Sequence, residues 1–187
     1  MNVAVVGIWH LGLITSVCLP KIGHKITAFD EKKIINDLKD LNPPVDEPRV
    51  KKFLKDSYEK RLFLESNFKN LNSYSLIWIT YDSNIDKNDI SDSRSVLKKI
   101  KKVINYADKN ATIIISTQLP LGSLRKLENY IYKIKRKNEL IYIPENLRLG
   151  NSVKLFLNPD RLIVGSRDIK KIKPKVQKLL KNIKCEK

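Results

Sequence analysis

Cysteine, glycine and long apolar runs are all scarce in this 187-residue chain, and each scarcity removes a class of protein. The two cysteines, Cys18 and Cys185, cannot make a disulfide framework or a thiolate metal site, which fits a reducing compartment. No apolar stretch approaches the roughly 20 residues that a membrane-spanning helix needs. The N-terminus lacks a basic leader and its apolar run is broken by turn residues, so it does not read as a secretory signal. The expected location is therefore the cytoplasm, with no membrane partner. There is no internal repeat and no low-complexity linker, and a chain of this length suits one domain with a sizeable core.

Charge is the opposite case. The 37 Lys and Arg against 20 Asp and Glu give a formal net charge of +17, which invites a nucleic-acid reading. The lysines are spread along several predicted helices (Lys32, Lys33, Lys51, Lys52, Lys98, Lys99, Lys101, Lys102, Lys170, Lys171) without a repeated basic-and-aromatic platform. Lysine far outnumbers arginine, and asparagine and isoleucine are abundant, as a coding bias toward A and T would produce. Solvated helix faces are the reading adopted, and no specific nucleic-acid partner is expected. Nonspecific attraction to polyanions, the weaker alternative, would fall steeply with salt.

The stretch from Met1 to Asp30 organises the rest. Val3 to Val6 is a short apolar run of the kind that lies in a parallel sheet covered on both faces, and Gly7 ends it. A helix is predicted from near His10, with Leu11, Ile14, Cys18 and Ile22 at helical spacing and Gly23 as its stop. A second strand follows over Lys25 to Phe29. Asp30 then stands about twenty residues after the turn, where a dinucleotide-binding fold places the acid that meets an adenosine ribose. The fingerprint wants glycines at the places of Gly7, Trp9 and Gly12, so its middle glycine is a tryptophan that must swing away or obstruct.

Strands and helices continue to alternate. Helices are predicted over Glu31 to Leu38, through Phe53, Leu54 and Tyr58, over Val96 to Ala107 and along Leu124 to Ile134. Strands are predicted at Arg61 to Leu64, Ser75 to Thr80, Ala111 to Ile115, Leu140 to Ile143 and Arg161 to Val164. A polar loop covers Tyr81 to Asp89, a short helical piece follows Pro144, and a terminal helix runs from Asp168 along Ile172, Val176, Leu179 and Ile183. The alternation implies an α/β fold: a Rossmann-type doubly wound, mainly parallel sheet with helices on both faces.

Three ordered stretches carry a resemblance. They are Gly7-Ile8-Trp9-His10-Leu11-Gly12 through Gly23-His24 to Asp30; Ser116-Thr117 through Pro120 and Gly122; and Pro144-Glu145-Asn146-Leu147-Arg148-Leu149-Gly150 with Asn158-Pro159-Asp160-Arg161 and Gly165. Glu47-Pro48 adds a fourth, shorter match. In these the chain resembles the NAD-binding domain of the UDP-glucose/GDP-mannose dehydrogenase family, the nucleotide-sugar 6-dehydrogenases. It departs from the family pattern at Trp9, at Ser83-Asn84, at Ile143 and at Leu149.

The resemblance implies oxidation of a sugar C6 alcohol to a carboxylate at the expense of two NAD, with a nucleotide sugar as substrate. Gly7, Ile8, Trp9, His10, Leu11, Gly12, Asp30 and Thr117 are the implied cofactor-binding residues, and Glu145 and Thr117 the implied catalytic ones. Glu145 would do acid/base work on a covalent intermediate, and Thr117 would orient a water or the cofactor. Asp30 as a carboxylate would favour NAD over NADP. Each has a plainer alternative: a helix-capping acid for Asp30, a turn hydroxyl for Thr117, an exposed loop acid for Glu145, a packing residue for His10 and a structural ion pair for Arg161.

No metal is implied. The family's nucleophilic cysteine belongs to a following domain, and Cys18, on a buried stripe, and Cys185, in a lysine-rich terminus, do not replace it. Residues 1–187 are thus expected to be one cofactor domain, inactive alone, and the resemblance implies a homodimer for the full enzyme. The alternative is a non-catalytic Rossmann-type binding or assembly module that has lost dinucleotide binding.

Overall fold

Strand β1 (Asn2–Val6) is buried from Val3 onward because its side chains enter two different cores in alternation. Val3 and Val5 join one apolar cluster, Ala4 and Val6 the other. A strand covered on both faces can be apolar without a break, which is why period-2 patterning is missing from this sequence. The computed structural model of the chain describes residues 1–82, 92–144, 146–167 and 174–185.

Five more strands run parallel to β1 or to its neighbours: β2 (Lys25–Phe29), β3 (Leu62–Glu65), β4 (Leu76–Ile79), β5 (Thr112–Ile115) and β6 (Glu139–Tyr142). The last, β7 (Gly165–Ser166), pairs antiparallel with β6. The order across the sheet is β3-β2-β1-β4-β5-β6-β7, so the winding reverses between β1 and β4. At such a reversal the two crossovers diverge and leave a crevice beyond the carboxyl ends of the strands.

On one face lie α1 (His10–Lys21), α2 (Lys32–Lys39), α3 (Val50–Ser57), α6 (Ser152–Leu157) and α7 (Pro174–Leu180), contributing among others Ile14, Leu38, Leu54, Phe156 and Leu179 to the first core. On the other lie α4 (Ser93–Tyr106) and α5 (Ser123–Lys133), with Ile100, Val103 and Leu127 in the second core. Each such side chain, fully buried, contributes about 1.5–3 kcal/mol by transfer from water. The fold is the Rossmann-type doubly wound one.

Helix α1 is buried along its whole inner length, Leu11 to Pro20, and not on a single stripe, because α3 and α6 cover the side that the sheet does not. It ends as predicted. Gly23 takes a φ of +97°, Gly23 N–H bonds to Pro20 O and His24 N–H to Leu19 O, the paired bonds of a Schellman stop.

The sequence misplaces two elements. The predicted strand over Arg161 to Val164 is irregular chain, and the pairing falls on Gly165–Ser166 instead. Leu162 and Val164 are apolar because they pack on the first core, not because they extend the sheet. A 3-10 turn over Phe68–Ser73, capped by Asn67 Oδ1 accepting Lys69 N–H, was not foreseen. The terminal helix is seen as α7, while Asp168 to Lys173 lie outside the described residues, as do Ser83 to Asp89 of the polar loop.

Candidate functional site

Gly7 leaves β1 with a φ of +96°, and a Cβ there would meet the Tyr81 ring at 2.6 Å, so the turn is open to glycine alone. Trp9, the next fingerprint position, has a φ of −102°, which any residue adopts. No left-handed backbone therefore calls for glycine at this position, and the tryptophan is half-exposed where it lines the crevice. No side chain caps α1, and its first intrahelical bond is Leu13 N–H to Trp9 O. The N–H groups of His10, Leu11 and Gly12 thus have no intrahelical acceptor, and they sit at the positive end of the helix dipole.

Asp30 lies directly beyond β2 and is tied to this turn. Its Oδ2 accepts the Ile8 N–H and its Oδ1 the Glu31 N–H at 2.7 Å. Burial pushes its carboxyl above the ordinary value, while those two donors pull the other way. It is not a helix cap, since α2 starts two residues later, with Glu31 at the N-cap and no side-chain cap bond. A carboxylate has about four lone-pair sites, so two acceptor positions remain for donors such as ribose hydroxyls.

Gly7, Ile8, Trp9 and Asp30 line one cleft of about 700 Å³. Ile34 and Phe68 add apolar lining, and Tyr81, Asp82, Lys99 and Lys102 complete it. The two lysines rest over aromatic rings, Lys99 Nζ 5.5 Å from the Tyr81 centroid and Lys102 Nζ 5.7 Å from that of Phe68. Burial pushes the Tyr81 phenol up, and Asp82 too sits above its ordinary value through burial, with nearby His10 acting in the other direction. Asp82 Oδ2 is buried without a hydrogen-bond partner among the described residues. Thr80, at the end of β4, closes the crevice floor with its hydroxyl 2.8 Å from Gly7 O.

The remaining predicted residues go elsewhere. His10 turns to Glu47 and Ser152, each 2.9 Å from Nε2. Leu11 faces a second, apolar cavity of about 150 Å³ with Ser116, Ile143, Asn146 and Phe156. Gly12 is wedged beneath the Gly7 carbonyl and Thr80 Oγ1. Thr117 is buried just past β5, and its Oγ1 has no partner among the described residues, which leaves it outside the cleft that holds Asp30. Glu145 lies outside the described residues. Arg161 makes no ion pair among them and lines the apolar cavity, so the structural ion pair is not seen.

Sequence reasoning missed four of the residues that line the cleft, Tyr81, Asp82, Lys99 and Lys102. Tyr81 and Asp82 follow the β4 run directly, and the rule that sites gather beyond strand ends at a winding reversal would have pointed to them. Lys99 and Lys102 carry no local signal, since they read as two more lysines on a polar helix face.

The sequence profile of the UDP-glucose/GDP-mannose dehydrogenase family, NAD binding domain, matches residues 1–184. The chain belongs to this family. A UDP-glucose 6-dehydrogenase of Rickettsia typhi is 28% identical over 171 residues, which are 88% of this chain and 39% of that protein. An uncharacterized protein of Methanocaldococcus jannaschii is 28% identical over 180 residues, 93% of this chain and 20% of that one. The chain thus spans well under half the length of these curated relatives. Among solved structures it is similar to GDP-mannose dehydrogenase of Pseudomonas aeruginosa, solved as a ternary complex, with a TM-score of 0.87 at 17% identity over 99% of this chain and 45% of that one. UDP-D-ManNAc dehydrogenase of Pyrococcus horikoshii gives a TM-score of 0.86 at 20% identity, covering 98% and 45%. At those identities the likeness shows the fold alone, a Rossmann-type doubly wound domain.

Proposed function

We propose that this chain serves as the cofactor domain of an NAD-dependent nucleotide-sugar 6-dehydrogenase. The observation that carries the reading is the joining of Asp30 to the Gly7 turn through the Ile8 N–H, at the winding reversal and beside the uncapped start of α1. A dinucleotide fits those parts: the His10, Leu11 and Gly12 N–H groups would take the diphosphate, and Asp30 the ribose hydroxyls nearest adenine. Ile34 and Phe68 would flank the base, while Gly7 and Gly12 keep the turn low enough for approach. When bound, NAD supplies the hydride acceptor. The buried Thr117 hydroxyl, without a partner among the described residues, and Glu145 are the residues of this chain assigned to the reacting end.

The substrate on this reading is a nucleotide sugar with a C6 alcohol, and oxidation requires a thiolate nucleophile from outside residues 1–187. Cys18 is unsuited, because burial pushes its thiol up to about 12. On this reading the chain alone is inactive, works in the cytoplasm, and belongs to a homodimer of the full enzyme. The test is a calorimetric titration with NAD: saturable binding below about 1 mM is expected, and no thermal stabilisation at about 10 mM, where a site of that affinity would add more than 1 kcal/mol, overturns the reading.

A second reading, a binding or assembly module without dinucleotide, is favoured by one observation. Trp9 and the carboxyl of Asp82, whose Oδ2 is buried without a partner among the described residues, share the cleft beside the α1 start, and both oppose a diphosphate there, one by bulk and one by charge. Recovery of NAD binding only on Trp9→Gly would decide for it.

A further inference from the structure

Three remote segments meet on one buried oxygen. Glu47, whose side chain is fully buried, uses Oε1 to accept Gly150 N–H at 3.0 Å and Ser152 O–H at 2.8 Å, and His10 Nε2 lies 2.9 Å from the same atom. A carboxylate only accepts, so Nε2 must carry a hydrogen and donate it to Glu47. Ser152 Oγ, also 2.9 Å from Nε2, has its single hydrogen directed to Glu47 or to Arg148 O at 2.8 Å, and so receives rather than gives toward the imidazole. Nε2 is thereby held as the nitrogen that carries a hydrogen, with Nδ1 making no hydrogen bond among the described residues.

His10 opens α1, so whatever fixes its ring fixes the first turn of the helix whose N-cap, Trp9, lines the cleft. The 148–152 segment leads into α6, which packs on α1. Glu47 itself sits in the loop before α3, on no regular element, and so can set the distance between the other two. Its second oxygen is buried with no partner among the described residues, so among them the charge of this acid is supported through Oε1. Burial alone would push the carboxyl up, yet the Ser152, His10 and Gly150 bonds outweigh it and hold the acid below its ordinary value.

We propose that Glu47 is a positioning residue for the cofactor turn, pinning the first turn of α1 through His10 to the 148–152 segment, so that the turn meets a diphosphate in one fixed geometry. The cofactor half of this inference rests on the reading of the cleft given above. The pinning half does not.

The test uses the full chain and three variants, E47A, E47Q and H10Q, with NAD as the probe. Long-range proton-nitrogen NMR reads the His10 ring, hydrogen exchange reads the Leu11 and Gly12 amides, and calorimetry reads NAD affinity beside the melting temperature of the free protein. The expected result is an Nε2–H ring in the native chain, with NAD bound about tenfold more weakly by E47A than by the native chain. E47Q, which keeps the acceptor, should recover most of that loss even where its melting temperature falls, a pattern that simple destabilisation does not give. An Nδ1–H ring in the native chain, or unchanged affinity in E47A, overturns the proposal. If E47A does not fold, H10Q decides: native affinity and native exchange there overturn it equally. If the native chain binds no NAD, the cofactor reading fails separately, and the pinning stands only if Leu11 and Gly12 exchange at least about tenfold faster in H10Q and E47A but not in E47Q.

Discussion

The carbonyl oxygen of Gly7 lies so close to Gly12 that a Cβ at position 12 would stand 1.8 Å from it. The contact joins the end of β1 to the first turn of α1, and Thr80 Oγ1 at 2.7 Å closes the other side. Backbone on one side and a buried hydroxyl on the other leave no flexible tip to give way. Gly12→Ala is therefore expected to cost at least about 3 kcal/mol, the upper range of overpacking. The melting temperature would fall by roughly 6–12 °C for a chain of this size. Urea unfolding with a native midpoint would contradict this.

Trp9 is the reverse case. With its backbone in ordinary φ space and its indole 52% exposed, Trp9→Gly should change stability by no more than about 0.5 kcal/mol, glycine being tolerated before a helix. On the dehydrogenase reading, native NAD binding is measurable and the variant tightens it by a few fold as the indole is withdrawn. Calorimetry on the two proteins checks both statements, and weaker binding in the variant would mean that the indole contacts the ligand favourably.

Asp30→Ala should lower NAD affinity by about tenfold, the cost of losing a charge-assisted pair of hydrogen bonds. It should also narrow the preference for NAD over NADP, since the negative charge that opposes a 2′-phosphate is gone. The Ile8 N–H loses its acceptor as well, so a fall in stability accompanies the change. Competition between the two dinucleotides against a fluorescent adenine analogue separates the effects. An unchanged preference would remove Asp30 from the ribose.

Acid should weaken the fold through His24. This buried imidazole sits 3.1 Å from Leu179 O and 3.5 Å from the N-terminal amine. Burial, and then the ammonium of Met1, lower its pKa from the ordinary 6.5, against the Leu179 bond. A base with a depressed folded pKa binds fewer protons folded than unfolded, so its stabilising contribution is complete above about 6.5 and is lost as pH falls below that. Melting temperatures from about pH 8 to about pH 5 should drop more steeply for the native chain than for His24→Asn. Parallel curves would exclude the residue as the source.

Thiol chemistry should be confined to one site. Cys18 is buried, with its thiol pushed up to about 12 by burial against the opposing pull of Lys21, while Cys185 is exposed. A disulfide reagent should modify one thiol in the native chain and both in denaturant. Two fast thiols in the native state would mean that α1 opens.

The β1, α1 and β2 unit was legible because each boundary has a local cause: the φ of Gly7, the Schellman stop at Gly23 and an unbroken apolar run. The last strand was not, since Leu162-Ile163-Val164 has strand composition while the pairing falls on Gly165, whose Cα approaches Tyr142. In the site, Asp30 was found from its distance after the turn. The partners of His10 were hidden because they lie 37 and 142 residues away, and Glu47-Pro48 read as a motif match without a role. Spacing reports what one segment does to itself, and a contact across the fold leaves no period behind.

The two lysines on the cleft wall have a further effect. Lys99 and Lys102 rest on the faces of Tyr81 and Phe68, and neither lies within salt-bridge range of a carboxylate among the described residues. Ring faces orient an ammonium without neutralising it, so both keep their pull on passing anions. That pull extends about 10 Å at 0.1 M salt and shrinks as ions are added. Capture of an anionic nucleotide should accordingly slow with ionic strength far more than its escape does.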